Sequence, residues 1–156
     1  MTAERRWIIL AAGGSAFLLL GALAFQHLGG LPPCKLCIWQ RWPHVIAIGI
    51  GLLALALPGR GLPLLGAVAA FATGAIGIYH TGVERGWWEG PASCSSSGVS
   101  GLTAEELFEQ VMSAPLVRCD EVPWELLSLS MANWNAIIAF VLMLFWVKAT
   151  FTSAEA

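Results

Sequence analysis

This 156-residue chain is predicted to be an all-α membrane protein, an antiparallel four-helix transmembrane bundle whose long outer loop carries a short amphipathic helix. Composition, segment length and punctuation all point there. The chain is 57% hydrophobic and 12% charged, with a mean hydropathy of +0.72, more apolar surface than so small a soluble body can hide. Four segments are nearly free of charge, and each approaches the roughly 20 residues a helix needs to cross hydrocarbon. Turns rich in Gly and Pro, or polar loops, separate them. Within lipid a helix satisfies its own backbone polar groups, so each segment reads as a helix.

The first span covers about residues 7–28. Arg5 and Arg6 precede it as in a signal peptide, but its apolar run exceeds an h-region of about 7 to 15 residues. Gly29-Gly30-Leu31 is also a poor cleavage site, so the segment is expected to remain as a span. Outer loop 29–37 follows, then a second span at 38–57. The turn "LPGRGLP" makes spans two and three antiparallel neighbours. The third span, 62–80, carries small residues at Gly66, Ala70 and Gly74, with Thr73 and Gly77 beside them. Such a ridge lets helices approach closely; a dimer interface is the alternative, and packing inside the bundle is favoured because every four-helix bundle needs such faces.

In outer loop 81–127, Thr103 and Glu106 have capping-box spacing. Leu107, Phe108, Val111 and Met112 then share a helical face opposite Glu105 and Glu109. A short helix is expected, either lying on the membrane surface or packed on the bundle as a lid. The fourth span, 128–148, completes a single membrane domain over residues 1–156.

Charge sets the orientation. Between Gly82 and Ser130 stand eight acids and two bases, a net −6, whereas the rest of the chain carries +4. Arg5, Arg6, Arg60 and Lys148 fall on the tails and the short middle loop, which predicts cytoplasmic termini. All four cysteines then lie in or at the edges of the two outer loops, facing an oxidising compartment outside a bacterial inner membrane. Trp39, Trp42, Trp87, Trp88, Trp124 and Trp134 fall at the outer ends of spans, and Trp7 and Trp146 mark the inner ends.

Chemistry concentrates in "LPPCKLCIWQRWPH", residues 31–44. A C-x-x-C pair serves as half a zinc site, a haem attachment or a redox couple. Ile38 rather than His follows Cys37, which excludes haem attachment. Cys94 and Cys119 are separated by 24 residues rather than forming a second close pair, which speaks against a four-cysteine zinc site. A redox couple of Cys34 and Cys37 remains. With span two starting near Cys37, Arg41 lies at i+4 on the same face; its charge and the helix N-terminus both lower a thiol pKa, so Cys37 is the expected resting thiolate.

Arg41 has a bland reading as a headgroup anchor. Yet only 14 residues separate Pro43 from Pro58, so the helix must borrow residues 38–42, drawing Arg41 to the hydrocarbon edge. Pro43 leaves a second geometry open, in which it starts the regular helix and residues 37–42 form a looser turn. A dithiol and an arginine at that level are placed to pass electrons to an acceptor dissolved in the bilayer, Arg41 also donating to a quinone oxygen as charge builds there. Cys94 and Cys119 read plainly as a structural staple worth roughly 3 kcal/mol. Beside a redox pair on the same face, Cys94 in "ASCSSSG" reads instead as accessible to an outside thiol, and a two-pair relay is the favoured reading.

Nearly the whole chain resembles the bacterial disulfide bond formation protein B (DsbB) family: four spans, "PCKLC" before the second with an arginine four residues on, "YHTGVERGWWEGPASC" after the third, and "VRCDEVPW" before the fourth. The resemblance implies reoxidation of a DsbA-like periplasmic thiol oxidase, with two electrons passing to ubiquinone or menaquinone. It implies that Cys94 forms the mixed disulfide with the partner, that Cys119 exchanges with Cys34, and that Cys37 meets the quinone beside Arg41. His80 corresponds loosely to a quinone-side histidine of the family; a satisfied interface histidine is the alternative. Other readings are a vitamin K epoxide reductase-like enzyme, expected to carry its CxxC late in the chain, and a non-catalytic membrane subunit stabilised by zinc or disulfides.

Overall fold

The computed structural model describes residues 2–91, 94, 103–113 and 117–152. Four helices long and apolar enough to span a membrane form the bundle: α1 (Ala3–His27), α2 (Lys35–Ala56), α3 (Gly61–Glu84) and α5 (Met131–Thr152). Helix α1 packs on α2, α2 on α3, α3 on α5 and α5 back on α1, closing a four-sided bundle. Its lipid-facing surface is built from exposed residues such as Leu10, Phe17, Leu52, Phe71 and Leu144.

Two helix ends differ from expectation in ways that build the site. Helix α2 begins three residues early because Cys34 caps it: extended backbone follows Pro33, and the Cys34 sulfur accepts the Cys37 N–H at 3.2 Å. Pro43 lies inside this continuous helix, so the looser-turn geometry is not adopted. Beside the ladder break that Pro43 imposes, the buried Thr73 hydroxyl donates to the Gln40 carbonyl at 2.9 Å. Helix α3 runs four residues past position 80, to Glu84, which keeps His80 and Glu84 on one helical face.

The small-residue ridge of α3 packs inside the bundle. A Cβ at Gly66 would meet the Trp146 ring, one at Gly74 would meet Phe140, and one at Gly77 would meet Ala132 and Ala136, all on α5. Trp146 is therefore not a headgroup-facing marker as expected: it is 0% exposed, seated in the Gly66 notch within a core made mostly of alanine. Trp7 stays near the end of the bundle that carries both termini, its ring tilted against Phe145 with Lys148 over it. Gly66→Ala is expected to destabilise the bundle by about 1–3 kcal/mol through overpacking; thermal unfolding in detergent checks this, and an unchanged midpoint would refute the notch.

Helix α4 (Ala104–Ser113) forms in the outer loop with the predicted box, Glu106 accepting from the Thr103 N–H and the Thr103 hydroxyl accepting from Glu106 N–H. Phe108 and Met112 are exposed, whereas the side chains of Leu107 and Val111 lie outside the described residues. One element was not expected, a hairpin of β1 (Glu125–Leu126) and β2 (Leu129–Ser130). Leu127 and Ser128 turn it at positive φ, without the Asn-Gly signature that announces such turns. Trp134 Nε1 donates to the Leu126 carbonyl and Arg85 to the Ser128 carbonyl, holding it in place. Ser130 then caps α5, accepting the Asn133 N–H while its hydroxyl donates to Glu84.

Candidate functional site

One end of the bundle gathers all four cysteines. Cys94 and Cys119 form a disulfide, and Cys34 and Cys37 are free thiols whose sulfurs lie 3.1 Å apart. Cys34, Leu36, Val83, Cys94 and Cys119 make one buried cluster, with Cys37 and Val117 against it. The two pairs are thus neighbours although 56 residues separate Cys37 from Cys94. Cys94 is 0% exposed, which corrects the expectation of an accessible sulfur. Cys94 N–H donates to the Pro91 carbonyl and Cys119 N–H to the Cys94 carbonyl, and the bridge packs in one buried cluster with Val83 of α3.

Cys34, not Cys37, receives the contacts that favour a thiolate. Its sulfur caps α2, sits beside the Cys37 sulfhydryl and lies 3.5 Å from His80 Nε2. The Cys37 hydrogen bond, then His80 and the Cys37 N–H, hold the Cys34 thiol well below the ordinary range and outweigh burial, which pushes the other way. Arg41 directs its described hydrogen bonds to α1, donating to Gln26 Oε1 at 2.6 Å and to the Ala22 carbonyl at 3.4 Å. With five donors on a guanidinium, two bonds leave capacity for another acceptor.

The orientation of His80 is set by a buried polar chain. Asn135 Nδ2 donates to Gln40 Oε1 at 2.8 Å and also reaches Thr73 Oγ1, while His44 Nε2 donates to Asn135 Oδ1 at 2.9 Å. Gln40 Nε2 must then donate to His80 Nδ1, 2.9 Å away. That leaves the ring proton on Nε2, facing the Cys34 sulfur and, at 3.8 Å, Glu84 Oε1. Gln40, Thr73, Glu84 and Asn135 were not singled out as site residues from sequence. A polar side chain deep in an apolar span was the available signal, strongest for Asn135.

Gln40, His44, His80, Glu84 and Asn135 line one cavity of about 230 Å³. Leu18, Ala22 and Phe25 of α1 form an apolar wall, Cys37, Gln40, Arg41 and His44 of α2 and Asn135 of α5 supply polar atoms, and Val117, Arg118, Glu121, Val122 and Pro123 complete the lining. Cys34, Cys37, Arg41 and His80 therefore come together at one opening, whereas Cys94 and Cys119 lie behind the first pair. An apolar slot with a few convergent donors suits a flat ring bearing carbonyl oxygens. Cys34, Cys37 and His80 also offer three metal-donor atoms within 4.8 Å of one another.

Comparison with known proteins agrees with this arrangement. The family model for disulfide bond formation protein DsbB matches residues 4–149. Disulfide bond formation protein B of Aeromonas hydrophila is 32% identical over 151 residues, covering 92% of this chain and 86% of its own. The corresponding proteins of Dechloromonas aromatica, 32% identical over 90% of this chain and 92% of theirs, and of Stutzerimonas stutzeri, 31% identical over 94% and 95%, are similar. A dithiol capping one membrane helix, packed on a disulfide from a distant loop, is an arrangement suited to thiol–disulfide exchange, and the chain belongs to the DsbB family of disulfide bond formation proteins.

Proposed function

We propose that this protein is a quinone-dependent thiol oxidase of the bacterial inner membrane, with both termini cytoplasmic and the cysteine loops periplasmic. It reoxidises a periplasmic, thioredoxin-like dithiol oxidase of the DsbA type and delivers the electrons to ubiquinone or menaquinone. The observation that carries this reading is the placement of both cysteine pairs in one buried cluster beside a cavity that holds Arg41.

In this reading the partner's thiolate attacks Cys94, expelling Cys119, and the partner's second thiol resolves the mixed disulfide. Because Cys94 is buried, its sulfur must become exposed for that attack. The Cys119 thiolate then attacks Cys34 of a Cys34–Cys37 disulfide, expelling Cys37. Cys94 attacks Cys119 in turn, which restores the Cys94–Cys119 bridge and expels Cys34. His80 Nε2, beside the Cys34 sulfur, stabilises that leaving thiolate, and a good leaving thiol speeds exchange. A quinone in the cavity supplies the sink for two electrons and two protons. Cys37, the less buried of the two thiols, faces that sink, Arg41 offers its free donors to the acceptor oxygen, and the Cys34–Cys37 disulfide re-forms.

Anaerobic mixing of the detergent-solubilised protein with a reduced partner and a quinone analogue, followed by quinone absorbance, tests this directly. Quinone should be consumed one for one with partner dithiol, and partner oxidation without quinone loss would refute the reading. In the same assay Arg41→Ala is expected to raise the quinone KM more than it slows exchange between the cysteine pairs.

A further inference from the structure

We propose that the dithiol form of this site is also a binding site for a thiophilic divalent cation, Zn²⁺ above all, with Cys34, Cys37, His80 and Glu84 as its four ligands. The donor set differs from the four-cysteine site that the sequence spacing disfavours. It joins a C-x-x-C pair at the start of α2 to a histidine on α3, with a glutamate one turn further along the same helix.

Three donor spacings are close to those around a tetrahedral ion. The two sulfurs are 3.1 Å apart, Cys34 Sγ and His80 Nε2 are 3.5 Å apart, and His80 Nε2 and Glu84 Oε1 are 3.8 Å apart. Ligands held about 2.3 Å (sulfur) and about 2.0–2.1 Å (nitrogen, oxygen) from a common tetrahedral zinc lie roughly 3.8, 3.5 and 3.4 Å from one another in the same order. Small shifts bring Cys34, Cys37 and His80 into place, their donors already within 4.8 Å of one another, whereas the Glu84 carboxylate, beside His80, must swing toward the sulfurs to become the fourth ligand. The Glu84 side chain is 4% exposed and His80 3%, so the site offers ligands already stripped of most water. All four line the cavity, which gives an ion its entry path.

Uptake is a Lewis acid–base step without electron transfer: both sulfurs stay reduced, and each thiol that binds releases its proton. His80 binds through Nε2, so its ring proton moves to Nδ1, and the Gln40 amide turns over to present its oxygen there, the outer contact that a metal-bound histidine requires. That turn gives up the Asn135 to Gln40 hydrogen bond against four new metal–ligand bonds, while Asn135 keeps Thr73 Oγ1 as a partner. Two thiolates and a carboxylate around a dication leave a net −1, with Arg41 lining the same cavity. The bound ion occupies the nucleophiles and arrests thiol oxidation; ion binding itself stands whatever the electron acceptor is.

The test is an anaerobic titration of full-length protein in detergent, carrying Cys94→Ser and Cys119→Ser and reduced by a phosphine, with Zn²⁺ against a chromophoric chelator. One equivalent per chain is expected, none after the Cys34–Cys37 pair is oxidised, and at least roughly tenfold weaker binding in His80→Ala and in Glu84→Gln. Co²⁺ in place of Zn²⁺ should give the visible bands of a tetrahedral ion with thiolate charge transfer, a readout that needs no further variant. Absence of stoichiometric uptake, affinity unchanged by both substitutions, or an octahedral cobalt spectrum would overturn the proposal.

Discussion

Replacement of Cys37 by serine should reduce quinone consumption to background, although the resting protein still carries the Cys94–Cys119 bridge. A serine hydroxyl at this position keeps the helix start and can still donate a hydrogen bond to the Cys34 sulfur, which caps α2 through the Cys37 backbone N–H. It cannot form a disulfide, so no electron pair held by Cys34 can leave toward an acceptor. The partner is then oxidised once, by the Cys94–Cys119 bridge, and turnover stops. Stopped-flow absorbance on the quinone, with thiol counting on the quenched protein, separates the two events. Sustained quinone loss in Cys37→Ser would remove Cys37 from the pathway.

His80→Ala should slow exchange between the pairs by about two orders of magnitude or more, the usual scale for a positioned proton donor. The effect has a pH signature. The Cys34 thiol is held below its ordinary range first by Cys37 and then by His80, against the cost of burial. A depressed pKa means the thiolate is present above that pKa, so Cys34 remains a good leaving group as pH falls below about 8.5, the value for a free thiol, until it protonates. With His80 removed, one lowering contact is gone, and the decline in exchange rate moves to higher pH. Rapid-quench mapping of the disulfides across pH measures it. An unchanged profile would leave His80 as packing between α2 and α3.

Much of the fold could be read directly from residues. The spans followed from charge-free runs, the α2–α3 turn from "LPGRGLP", the α4 box from Thr103 and Glu106, and a close-packing face inside the bundle from Gly66, Ala70 and Gly74; that α5 fills it was not legible. The misreadings share a cause. A tryptophan near a span end looks like a headgroup anchor until the facing helix offers a notch, as Gly66 does for Trp146. A cysteine amid serines looks accessible until its partner draws it against the bundle, as Cys119 does for Cys94. The β1–β2 turn was hidden because Leu127 and Ser128 carry no local preference for positive φ; Trp134 and Arg85 hold it from elsewhere.

By itself the sequence determined a membrane bundle, a reducible C-x-x-C pair and an arginine four residues after it, because hydropathy and short spacings are local properties of a chain. Only the tertiary structure decided which sulfur is supported as a thiolate. Cys34 gains that role from His80, whose proton is steered to it by Gln40 and Asn135, residues brought together from three different helices. Hydrogen bonds act over about 3 Å, and no local pattern along the chain encodes which polar atoms will meet at that distance once four helices have packed.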